Sequence, residues 1–125
     1  MILEILSDKL IEAGFVPGKS LFLGHMNADA AGVLLRVPHP IPIDPEIPGR
    51  YRGEIQVLTR AKTVADGMAL AARVQRLLTV NVRERLPGAH LDRCQPQALP
   101  LRNPFTESGQ IEHGQYFDVI WGQAA

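Results

Sequence analysis

The chain has 125 residues, of which 46% are hydrophobic, enough for the core of one ordinary domain and too apolar for a disordered chain. Thirteen basic residues balance thirteen acidic ones, for a formal net charge of +0 and a pI near 6.9. That excludes a protein whose main work is wrapping nucleic acid, which needs a basic excess to neutralise phosphates. It also leaves little self-repulsion to oppose association.

In the N-terminal segment Ile2, Leu3, Ile5, Leu6, Leu10 and Ile11 recur near a helical period, with Glu4, Asp8, Lys9 and Glu12 between them. The spacing predicts an amphipathic helix stopped at Gly14, and its charges do not fit a signal-peptide core. No run approaches the ~18 apolar residues of a membrane helix. A soluble protein made in the cytoplasm is expected. The single cysteine, Cys94, suits a reducing compartment, since one thiol closes no internal bridge.

Two short apolar runs, 20–23 and 32–37, read as strands, the second covered on both faces. Residues 25–31 read as a polar connection between them. Residues 38–49 are unusual. Prolines at 38, 40, 42, 45 and 48 alternate with Ile41, Ile43 and Ile47. Proline lacks an amide donor and favours extended backbone, which predicts a stiff arm. The arm either folds over its own core or presents its isoleucines to a neighbouring subunit, for which a pre-stiffened segment loses little entropy.

Residues 51–60 alternate, with Tyr51, Ile55 and Val57 on one face and Arg52, Glu54, Gln56 and Arg60 on the other. This predicts a strand with one wet face. Thr63 then caps a helix, with Asp66 three positions on. Val64, Met68, Ala71, Val74, Leu77 and Leu78 form its predicted buried stripe, and Arg73 and Arg76 suit its C-terminal dipole. A turn at Pro87-Gly88 leads to predicted strands at 89–94 and 98–102, a loop at 103–114 and a last strand at 115–121. In that strand Phe117, Val119 and Trp121 oppose Tyr116, Asp118 and Ile120. The sum is a single α+β domain over 1–125, a mainly antiparallel sheet packed by the N-terminal helix and one longer central helix.

The residues offer no catalytic constellation. His25, His39, His90 and His113 have no helical pairing with another metal ligand; His25-x-x-x-Asp29 is the nearest approach, and solvated loop residues are its simpler reading. Ser7, Ser20 and Ser108 lie in no nucleophile elbow, and Cys94 in a strand reads as core packing. Glycine-rich phosphate cradles are absent, so no cofactor is expected. Arg50, Arg52, Arg60 and Lys62 bracket one strand, and Arg83 and Arg85 follow the long helix. With only seven aromatic residues and acids interspersed, these charges read as solvated rather than as a stacking platform.

The order of elements, and above all the segment YRGEIQVLTRAKTVADGMALAARVQRLL, resembles the tail terminator (tail-completion, minor capsid) proteins of long-tailed bacteriophages. The best-matching stretch runs over 34–78. The resemblance implies an α+β virion protein of the tail or neck, not an enzyme, made in the host cytoplasm. It implies a homo-hexameric ring that stops growth of the tail tube protein, joins the head–tail connector protein, and lets DNA pass without specific binding. On that reading Ile41, Ile43, Ile47, Tyr51 and Arg52 contribute to the subunit interface, and Arg50 and Arg52 lie near the lumen. Two other readings stand beside it: a different connector or tail-tube subunit, and a small ligand-binding domain or enzyme with an unrecognised pocket.

Overall fold

The computed structural model describes residues 2–27, 29–103 and 109–123. Helix α1 spans Ile2–Glu12 and buries Ile2, Ile5, Leu6 and Leu10. It ends in a Schellman arrangement: the Phe15 amide donates to the Leu10 carbonyl at 3.1 Å and Gly14 to Ile11 at 3.0 Å. Strands β1 (Leu21–Leu23), β2 (Gly32–Arg36) and β3 (Arg50–Ala61) follow, then helix α2 (Val64–Leu78). Thr63 caps α2 through its side chain, which accepts from the Asp66 amide at 3.1 Å. Strands β4 (Glu84–Leu86), β5 (Ala89–Pro96), β6 (Leu101–Asn103) and β7 (Ile111–Gln123) complete the chain.

The sheet runs β1-β2-β3-β7-β5-β4, with β6 paired to the first part of β7. The central β3–β7 ribbon is antiparallel over its whole length, from Arg50 opposite Gly122 to Ala61 opposite Ile111. Most pairings are antiparallel, but β1 runs parallel to β2, so the sheet is mixed. Its odd-numbered central residues, Val33, Leu35, Ile55, Val57, Phe117, Val119 and Trp121, meet α1 and α2 in the main core. On the opposite face Leu34 and Leu58 pack with Met26 in a smaller cluster. Strand β2 is therefore covered on both faces, as its unbroken apolar run predicts. The 25–31 connection is not wholly polar in behaviour, because Met26 is buried there; Ala28 lies outside the described residues.

Four expectations need correction. The buried face of α2 is Gly67, Ala71, Val74 and Leu78, while Met68 is 60% exposed. The two stripes share Ala71, Val74 and Leu78 and part only in the first turns, where Gly67 rather than Val64 and Met68 faces inward. A Cβ there would lie 3.1 Å from the His113 ring, so glycine, despite a helix cost of about 1 kcal/mol, is what lets β7 approach. Strand β4 forms where Arg83 and Arg85 read as solvated charge, because the Pro87-Gly88 turn folds Leu86 back opposite Ala89. Strand β7 begins at Ile111, inside the predicted loop, and β6 covers only the end of the 98–102 segment. The wet face of β3 is only partly wet. Gln56 is buried and donates to the Tyr116 hydroxyl at 3.1 Å while accepting from Arg36, and Arg60 pairs with Glu112 at 2.6 Å.

Candidate functional site

The arm joins β2 to β3. Because β2 reaches only as far as Gln56, residues 50–55 of β3 have no partner strand on that side. The arm passes beside this bare edge. Ile41 is half-buried against the main core and sits over Gly53, where a Cβ would lie 2.9 Å from Ile41 Cγ1. Pro38, Pro40 and Pro42 carry no N–H, so this stretch shields the edge without offering a further strand to pair. The second half is not extended. Asp44 Oδ1 accepts from the Glu46 amide at 2.9 Å, the Asp44 carbonyl from Ile47 at 3.2 Å, and the Ile47 carbonyl from Arg50 at 3.3 Å. These bonds fold 44–50 into successive turns.

The isoleucines of the arm do not share one environment. Ile41 faces its own core, whereas Ile43 is 79% and Ile47 48% exposed. Pro42, Ile43, Pro45 and Ile47, with Arg50, Tyr51, Arg52 and Ile120, line an open groove of about 590 Å³. A second groove of about 520 Å³ lies on the helix side, between Ile2 and Leu3 of α1, Ile41, Ile43, Tyr51 and Trp121. Ile43 and Tyr51 belong to both, so Ile43 stands as a ridge between two apolar hollows. Tyr51 packs beside its cross-strand partner Trp121, ring centroids 5.6 Å apart. All six residues expected at the interface or lumen thus gather at one end of the central ribbon.

The charges there are largely matched. Arg52 pairs with Asp118 at 3.1 Å, and Arg50 reaches Asp92 at 3.7 Å. Asp92 also holds Arg83 at 2.7 Å and His90 Nδ1 at 2.6 Å. Burial alone would raise the Asp92 carboxyl, but hydrogen bonds from His90 and Arg83 outweigh it and hold the group below the usual carboxylate range. The cluster ties the foot of the arm to the β4–β5 hairpin. With Arg60 on Glu112, four of the arginines singled out in the sequence are spent on carboxylates of the same chain, which suits a surface that does not grip phosphate.

At the other end of the ribbon lies a groove that no sequence pattern indicated. Val64, Met68 and Ala72 of α2, with Leu99, Pro100, Arg102 and His113, enclose about 470 Å³. Its only advance signal is the run Leu99-Pro100-Leu101, apolar residues around a proline that no strand interior would take.

Cys94 is wholly buried, and burial pushes its thiol up to about 12, so it is inert. Among the described residues no group of three or more His, Cys, Asp or Glu side chains is disposed to hold a metal ion. Ser108 lies outside them. No helix among the described residues is long and apolar enough to cross a membrane.

The fold and this surface define a two-layer α+β protein whose exposed apolar groups gather on an arm and in open grooves. The family model described as bacteriophage tail terminator protein matches residues 9–119, and the chain belongs to that family. Its role is accordingly structural, in completing the phage tail, and its place is the tail of the virion. No curated protein matches the chain.

Proposed function

We propose that this protein closes as a homo-hexameric ring on the end of the tail tube, stops tube growth, and offers its other face to the head–tail connector protein. The family match over residues 9–119 carries this reading. The arm supports it. A large aliphatic side chain left 79% exposed on a segment stiffened by prolines is better explained by a partner than by the monomer. Ile43, Ile47, Tyr51 and Arg52 form the outward part of the subunit contact, with Ile41 anchoring the arm from within. Arg50 and Arg52, at the same end, lie toward a lumen through which DNA passes. Their carboxylate partners keep that passage from binding it tightly. Synthesis takes place in the host cytoplasm, before assembly.

The test is native mass by light scattering over a concentration series, with negative-stain images of the protein alone and with purified tail tubes. Six-fold rings, free or on tube ends, are the expected result. Ile43→Asp combined with Ile47→Asp, both on exposed positions, is expected to abolish rings while leaving the circular dichroism spectrum unchanged. Decoration of tube sides would instead identify a tube subunit. A monomer that ignores tubes would end the assembly reading.

A further inference from the structure

We propose that the Ile43–Ile47 ridge of one copy seats in the groove between α2 and β6 of the next copy, an inference that rests on the self-assembly reading above. The two surfaces lie on one chain but cannot meet within it. Ile120, beside the ridge, and His113, beside the groove, are seven residues apart on β7, about 23 Å at ~3.3 Å per residue. Only another copy can therefore bring them together.

The surfaces are complementary in shape and in charge. The groove is walled by Val64, Met68, Leu99 and Pro100, with Met68 60% and Leu99 84% exposed, an apolar hollow that α2 leaves unfilled. Methionine in such a wall adapts to an incoming branched side chain. The ridge is an aliphatic pair set among Pro42, Pro45 and Pro48 and held by its turns, so little freedom is lost on docking.

Between the isoleucines stand Asp44 and Glu46, both exposed and neither in an ion pair among the described residues. At the groove's rim stands Arg102, exposed and likewise without an ion pair among the described residues, unlike Arg50, Arg52, Arg60 and Arg83. A protein of formal net charge +0 thus keeps surplus anions on the ridge and a surplus cation at the groove. Such an arrangement steers association and fixes register. A contact between two different surfaces is heterologous, and repeated it closes as a ring or runs on as a filament.

Engineered cysteines read the contact directly, because Cys94 is buried and unreactive. Ile43→Cys and Met68→Cys in the same chain, oxidised at assembly concentration, are expected to give a ladder of disulfide-linked multimers on a non-reducing gel. Each single variant should stay monomeric on that gel. Cross-linking by Ile43→Cys alone would mean arm-on-arm pairing and overturn the proposal. So would a ladder that stops at the dimer.

Charge reversal gives a second readout on exposed positions that do not support the fold. Glu46→Arg and Arg102→Glu should each raise the concentration for half-assembly about tenfold, and the double variant should return to within about threefold of the parent. Absence of either single effect, or of recovery, overturns the docking. If rings form but neither readout responds, the docking falls and the ring reading stands. If no multimer forms with or without tubes, both fall.

Discussion

His113 shows how a residue that looks like loop sequence is made into structure. It is 5% exposed, its ring lies against Gly67, and its Nδ1 has no hydrogen-bond partner among the described residues. Burial, reinforced by the nearby Arg102 charge, lowers its proton affinity below the ordinary histidine value of 6.5. The folded state therefore binds fewer protons than the unfolded chain below that pH. Stability is full above about pH 6.5 and declines as the pH falls toward the folded value. The urea midpoint of the parent is expected to fall between pH 7 and pH 5 by more than that of His113→Phe. Equal slopes would remove His113 from the acid response.

At the scale of elements, what could be read from the sequence was what local periodicity encodes. Helix α1, the capped start of α2, the doubly covered β2 and the alternation of β3 all follow from the spacing of their own residues. What could not be read depends on a partner distant in the chain. Glu112 and His113 look like loop residues until Arg60 is seen opposite Glu112 and Gly67 beneath His113. Strand β4 reads as solvated charge until the hairpin sets Glu84 beside α1, where it accepts from Lys9 at 2.7 Å. In α2 Ala71, Val74 and Leu78 are buried as their period predicts, but Val64 and Met68 fit that period equally well and are exposed, because no period reveals whether an apolar residue is covered. In the candidate site, isoleucines among prolines marked the arm, but only the apolar run around Pro100 hinted at the groove. The cap itself is a testable element: Thr63→Ala is expected to lower stability by about 1 kcal/mol in denaturant unfolding, whereas Thr63→Asn should be near neutral.

For the whole molecule, β7 is the member on which the rest depends. It pairs with β3, β5 and β6, and carries Phe117, Val119 and Trp121 into the main core. A sheet organised around one strand should not come apart in pieces, so residues 1–125 are expected to unfold as one cooperative unit. Trp121 fluorescence and far-ultraviolet circular dichroism should give coincident transitions. Phe117→Ala, at a wholly buried site, should lower both together by about 4 kcal/mol. Transitions that separate would mean two units where one is proposed.

The register of the central ribbon also bears on synthesis. Arg50 pairs with Gly122, and the Gly49 carbonyl accepts from the Gln123 amide at 2.8 Å, so the foot of the arm is fixed by the far end of β7. While β7 is still inside the ribosome, β3 lacks its longest partner and the foot of the arm lacks the Gln123 amide that holds it. Contacts this distant in sequence form late and slowly. On the proposed assembly, a nascent chain does not yet own its docking ridge, and a truncated product that stops short of β7 would be kept out of the ring.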